Sequence, residues 1–172
     1  MKPNHSAPLA APRTMASADD ADRIFLLVLD GSDEQRAAIR YAAQRAKATG
    51  GQVALMLVTQ PVEFEHWMFV GNLMREEARE AAEHAMNRYA SVVRSITGHM
   101  PIFYLREGDP VDELFKLLRE EDFSVLILAA GEGQDGPGPI VQAVTGKQMA
   151  KLTLPITIVP GTLSDEEIDA VT

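Results

Sequence analysis

The chain has no cysteine. That excludes a disulfide scaffold, a thiolate metal site and a cysteine nucleophile, and leaves the redox compartment open. Long apolar runs are also missing: the longest, such as Ile24 to Leu29, are strand-sized and far below the ~20 residues of a membrane span. Basic residues are in deficit, 16 against 25 acidic ones, for a net charge of -9 and a pI near 4.9. Such a surface repels phosphate backbones and anionic membranes, so nucleic acid and lipid are poor partners. What is present is 172 residues, 46% hydrophobic, enough for one domain with a sizeable core.

The first 21 residues, MKPNHSAPLAAPRTMASADDA, hold three prolines and no periodic apolar pattern, the composition of a solvated, disordered leader. Pro8 and Pro12 interrupt the only stretch that could serve as the apolar part of a signal peptide. Residues 162–172 read as an acidic tail with four acids between Asp165 and Asp169, in which Ser164 and Glu167 can cap a turn of helix. The segment between, 22–161, is expected to be the folded domain.

Within it, strand-length apolar runs alternate with segments of helical period, which predicts an α/β fold with a parallel sheet covered by helices. IFLLVL at 24–29 is continuous rather than alternating, as in a strand buried on both faces. Ser32 and Gln35 form a capping-box pair ahead of an Ala-rich helix, whose inner face is Ala38, Ile39, Ala42 and Ala46 and which stops at Gly50 and Gly51. A second strand, 52–58, leads through an aromatic-rich connection to a long helix starting near Asn72. Ala78, Ala82, Ala85, Tyr89, Val92 and Ile96 make its apolar stripe, and Gly98 ends it. A third strand at 101–105 precedes Gly108, Asp109 and Pro110, read as turn, N-cap and first helical residue. Strand four spans 124–130, a fourth helix about 140–152 and strand five 156–159, giving five strands with four helices between them.

In such a sheet ligands bind beyond the carboxyl ends of the strands, where strand order reverses. The loops after strands one and four, Asp30-Gly31-Ser32 and GEGQDGPG at 131–138, are the candidates. Gly131, Gly133 and Gly136 satisfy G-x-G-x-x-G, but three features reject a dinucleotide fingerprint. The pattern follows the fourth strand and not the first, Pro137 and Pro139 delay the helix, and no acid lies about 20 residues on. Glu132 and Asp135 would also set carboxylates beside an anion. Asp30 can accept hydrogen bonds from a ribose or an exocyclic amine, or can simply start the turn and favour the next helix N-terminus. Among the four histidines, only His84 with Glu80 and His66 with Glu63 and Glu65 suggest ligand sets, and ordinary charged surface explains both. Phe64, Trp67 and Phe69 could cover a ligand or a partner, or pack a long connection over the core. No catalytic constellation and no metal site emerges.

The order of these motifs resembles the universal stress protein family. Residues 28–58, VLDGSDEQRAAIRYAAQRAKATGGQVALMLV, are similar to its opening half; 106–133 and 144–160 are similar to its closing half. The resemblance implies a Rossmann-like five-stranded sheet of order 3-2-1-4-5 with about four helices on both faces, and a cytoplasmic stress-response regulator rather than an enzyme. It also implies a homodimer formed partly through the last strand. ATP-binding members use an Asp after the first strand and a Val ending the second, positions held here by Asp30, beside Gly31, and Val58. Their phosphate loop reads G-x-x-G, nine residues, then Gly-Ser or Gly-Thr. Gly131 matches its first glycine, Gln134 stands at the second, the loop is two residues shorter, and Gln142 and Ala143 replace the closing pair. Gly133 and Gly136 offer another backbone path, and Thr145 a hydroxyl. The expected cofactor is therefore ATP or another adenine nucleotide, with the adenosine half better preserved. The alternatives are a dimeric interaction module that binds no nucleotide, and an adenine-nucleotide-dependent hydrolase or transferase on a related fold.

Overall fold

The computed structural model describes residues 23–29, 35–59, 68–131 and 136–172, with the backbone alone described for 68–74. The leader expected over residues 1–21 lies outside them. Six consecutive apolar residues, Ile24–Leu29 (β1), can be buried on both faces only at the centre of a covered sheet, and that is their position. β1 pairs in parallel with β2 (Gln52–Thr59) on one side and β4 (Val125–Ala130) on the other. β3 (Ile102–Glu107) and β5 (Ile156–Pro160) form the edges, so the order is 3-2-1-4-5, as the family resemblance implies.

The pleat splits the strands between two cores. Phe25, Leu27 and Leu29 join Val53, Leu55 and Ile127 under α1 (Gln35–Thr49) and α2 (Met68–Thr97). Leu26, Val28, Ala54, Met56 and Leu128 face α3 (Pro110–Glu120) and α4 (Pro139–Thr145). Ala38, Ala42 and Ala46 of α1 are fully buried, their lack of bulk letting the helix lie close to the sheet. Asp109 caps α3 by accepting from the amides of Val111 and Asp112 at 2.9 and 3.0 Å, with Pro110 in the first turn.

The paired glycines after α1 do different work. Gly50 takes the left-handed conformation, φ 71°, whereas Gly51 has no such need. A Cβ on Gly51 would lie 2.6 Å from the carbonyl oxygen of Arg23, at the point where Gln52 N–H donates to that same oxygen.

Three expectations need correction. α2 begins at Met68, before Asn72, and its buried stripe is Ala82, Met86, Ala90 and Val93, while Val92 is 41% exposed. Apolar residues at 82, 85–86, 89–90 and 92–93 fit two adjacent stripes, and packing against α1 selects the second. The fourth helix ends at Thr145, well short of Leu152. Gly146 leaves helical geometry (φ -107°, ψ -125°), and the amides of Gly146 and Gln148 both fold back to the carbonyl of Ala143. A short 3-10 turn, Met149–Lys151, completes the passage to β5.

The third correction is a fifth helix between 162 and 172, where an acidic tail with a capped turn was expected. The capping box is formed, with Ser164 Oγ accepting from Glu167 N–H and Glu167 Oε2 accepting from Ser164 N–H. It opens α5 (Asp165–Val171), whose Ile168 is fully buried in the α1-side core. One apolar side chain among acids gives too weak a periodicity to separate a docked helix from a tail.

Candidate functional site

β1 is flanked by β2 and β4, so the chain leaves it in one direction and returns on the other side, opening a crevice at its carboxyl end. A cleft of about 490 Å³ occupies this point. Its floor lies at the carboxyl ends of three strands: Val28 and Leu29 of β1, Val58 of β2, Leu128 and Ala129 of β4. Pro110 at the start of α3 forms one wall, and Pro137 through Val141, leading into α4, the other. The size suits a small organic ligand. All these described lining residues are aliphatic, proline or glycine.

That composition favours the flat, weakly polar body of a ligand over a charged tail. Pro137 and Pro139 lack amide hydrogens, which removes two donors from the segment where a phosphate cradle would lie. Gly138 carries no side chain to cap α4, and it adopts φ 88°. Its backbone comes close to the cleft through that conformation.

The residues singled out from the sequence separate into four groups. Val58 lines the cleft. Gly131 directly follows β4, half-buried, and Gly136 stands in the left-handed region at φ 80°, where a Cβ would meet Gln142 Nε2 at 3.3 Å. Thr145 is the last residue of α4, and its hydroxyl donates to the Val141 carbonyl at 2.7 Å instead of lining the cleft. Asp30, Gly31 and Gly133 lie outside the described residues, as do Ser32, Glu132, Asp135, Phe64 and Trp67.

Sequence reasoning passed over Val28, Leu128, Ala129, Ile140 and Val141. For Val28 and Leu128 the signal was the strand pleat, which turns them to the same side of the sheet as Val58, whereas Ala129 belongs to the opposite core and Ile140 and Val141 come from α4. It also took Gln35 only as a capping partner, whereas its side chain is fully buried at the first position of α1. Among the described residues no three His, Asp or Glu side chains converge as a metal site requires. His84 and Glu80 are exposed on α2, and Glu83 is paired with Arg79 at 3.0 Å.

A second cleft, about 390 Å³, lies between the carboxyl ends of β2 and β3 and the flank of α2. Arg75, Arg79, Glu76 and Glu107 give it both signs of charge, and Arg79 and Arg106 are already engaged by Glu83 and Glu120. It is away from the strand-order reversal, so the aliphatic cleft is the better candidate.

The sequence model of the universal stress protein family matches residues 23–160, the span from the start of β1 to the end of β5. The chain belongs to the universal stress protein family. No curated protein matches it. Among solved structures, universal stress protein UspA from Lactobacillus plantarum is 14% identical with a TM-score of 0.66, covering 81% of this chain and 98% of that one. A universal stress protein from Archaeoglobus fulgidus in complex with dAMP is 18% identical, TM-score 0.57, covering 80% and 97%. A universal stress protein family protein from Arabidopsis thaliana with AMP bound is 13% identical, TM-score 0.56, covering 84% and 94%. At these identities the likeness is one of fold. The family segment holds the cleft and all five strands, while α5 begins beyond it.

Proposed function

We propose that this universal stress protein is a non-catalytic regulatory module that holds an adenine nucleoside or nucleoside monophosphate in the aliphatic cleft, phosphates adding little to affinity. The observation that carries this reading is the cleft itself: an aliphatic slot at the strand-order reversal, with Val58 in its floor. AMP and dAMP complexes of structural relatives support the ligand class. Asp30 and Gly31 would meet the ribose from the loop after β1, with Gly131, Gly133 and Gly136 the candidate contacts from the opposite loop. Glu132 and Asp135 in that loop, with the two prolines, oppose a triphosphate. Thr145 is the least suited of the proposed contacts, since its hydroxyl is already spent on its own helix.

Membership of a family of regulatory proteins supports binding without turnover. The same loop chemistry favours a second reading, an interaction module of this fold whose cleft stays without nucleotide. The net charge of -9 argues against nucleic acid in either case. We place the protein in the cytoplasm, and no helix among the described residues is long and apolar enough to cross a membrane. A homodimer through β5 is supported by that strand's open edge and by Ile158, 38% exposed.

Mass spectrometry of the purified protein after denaturation tests the ligand. Released AMP, adenosine or a related nucleotide in near-stoichiometric amount is expected, and protein that binds no adenine ligand when supplied with one supports the second reading. Light scattering after size exclusion tests the dimer, and catalysed ATP turnover lost on Asp30→Ala would overturn the non-catalytic assignment.

A further inference from the structure

α5 is held along one face of α1 by polar contacts around a single apolar anchor. Arg36, Arg40 and Gln44 stand four residues apart and so share a helix face. Arg36 pairs with Asp165 at 2.9 Å and Arg40 with Asp165 at 3.4 Å. Arg40 Nε also donates to Asp169 Oδ1 at 2.8 Å, and Gln44 Nε2 to the same oxygen at 2.8 Å. Between these acids Ile168 enters the core cluster that includes Ala38, Ala42 and Val159. We propose that this face of α1 is a docking surface for an acidic amphipathic helix, which α5 occupies within the same chain as a releasable cover.

Three observations carry the proposal. α5 lies beyond residues 23–160, so the family fold is complete without it. Its seven residues contribute one fully buried side chain, while Val171 is 63% exposed. The three ion pairs that join it to α1 among the described residues link partly solvated groups, with side-chain exposures from 26% to 69%, where salt and water compete effectively. The four-residue connection from Pro160 to Asp165 keeps α5 close, so closure is the resting state and opening is reversible. When it opens, a basic strip and a socket for one aliphatic side chain are uncovered. The complementary pattern is the one α5 carries, Asp165, Ile168 and Asp169.

The test is hydrogen exchange by mass spectrometry on the full chain. Amides of 165–171 are expected to exchange at least about tenfold faster than those of β1 and β4, and faster again in 0.5 M salt than in ~0.05 M. Arg40→Glu should remove their protection while leaving β1 and β4 unchanged, and Arg40→Glu with Asp169→Arg should restore it. In an Ile168→Asp chain whose β1 and β4 exchange as in the parent, a synthetic peptide of residues 162–172 at ~1 mM should slow exchange across α1. Adding Arg40→Glu should abolish that effect. Exchange of 165–171 at the rate of the central strands in every condition would overturn the proposal, making α5 a fixed part of the core. Undiminished protection in Arg40→Glu, or a peptide without effect on α1, would do the same.

Discussion

Ile168→Ala and Ile127→Ala delete the same atoms from two fully buried sites, yet the losses are expected to differ. Ile127 lies on β4, paired with β1 and β5 and packed under α1, so the surrounding structure cannot yield without global unfolding. Its truncation should cost about 2–5 kcal/mol, the range for buried Ile to Ala changes. Ile168 sits on a seven-residue helix that the rest of the fold does not require. Once truncation costs more than undocking, α5 lets go, and further loss stops there. With one anchoring side chain worth about 1.5–3 kcal/mol on full burial, the ceiling is about 3 kcal/mol. For a chain of this size each kcal/mol moves the melting temperature by about 2–4 °C. Urea denaturation followed by far-ultraviolet circular dichroism, run beside thermal melts, measures both variants. Equal losses of more than about 3 kcal/mol at the two positions would refute the reasoning, because α5 would then share the cooperativity of the central strands.

Other expectations follow from single contacts. Gly50→Asn should be tolerated because Asn accepts the left-handed conformation, whereas Gly51→Asn should cost roughly 1–3 kcal/mol through collision with the Arg23 carbonyl; chemical denaturation separates them. The hydrogen bond from Arg40, helped by Gln44, holds the Asp169 carboxyl below its usual range against a smaller opposing effect of burial. The folded value lies below the unfolded one, so the contribution is fully present above about pH 4 and is lost as pH falls through the folded value. Protection of α5 measured across pH 7 to 3 should accordingly stay level until about pH 4, then fall, and Asp169→Asn should flatten that fall. Val58→Trp should fill the cleft and remove any stabilisation by adenosine without altering the far-ultraviolet circular dichroism.

Much of this fold is legible because its strands are continuous apolar runs and its helices start on clear signals. Asp109-Pro110 marks the start of α3 without ambiguity, and the run at 24–29 fixes the central strand. Legibility fails where two patterns fit equally or where one residue decides. The stripe of α2 was displaced by about one position because small apolar residues occur in adjacent pairs along it, and only contact with α1 chooses between them. Gly146 falls inside the helix expected over about 140–152, and its backbone geometry ends α4 at Thr145. For the site, the family resemblance could point to Val58 and the strand order to the loop after β4, but the wall of Pro110, Ile140 and Val141 is assembled by tertiary packing of α3 and α4 over the sheet. Thr145 illustrates the converse: a hydroxyl at a plausible place in the sequence is turned onto the carbonyl one helical turn behind it.

The central claim is that the cleft recognises the adenosine moiety and that its loop contributes no productive polyphosphate cradle. Isothermal titration with adenosine, AMP and ATP with magnesium, under one buffer and salt condition, measures it directly. Adenosine and AMP are expected to bind with affinities within about tenfold of each other, and ATP no more tightly than AMP. ATP binding at least a hundredfold tighter than adenosine, or no heat from adenosine or AMP at millimolar concentration, would contradict the account.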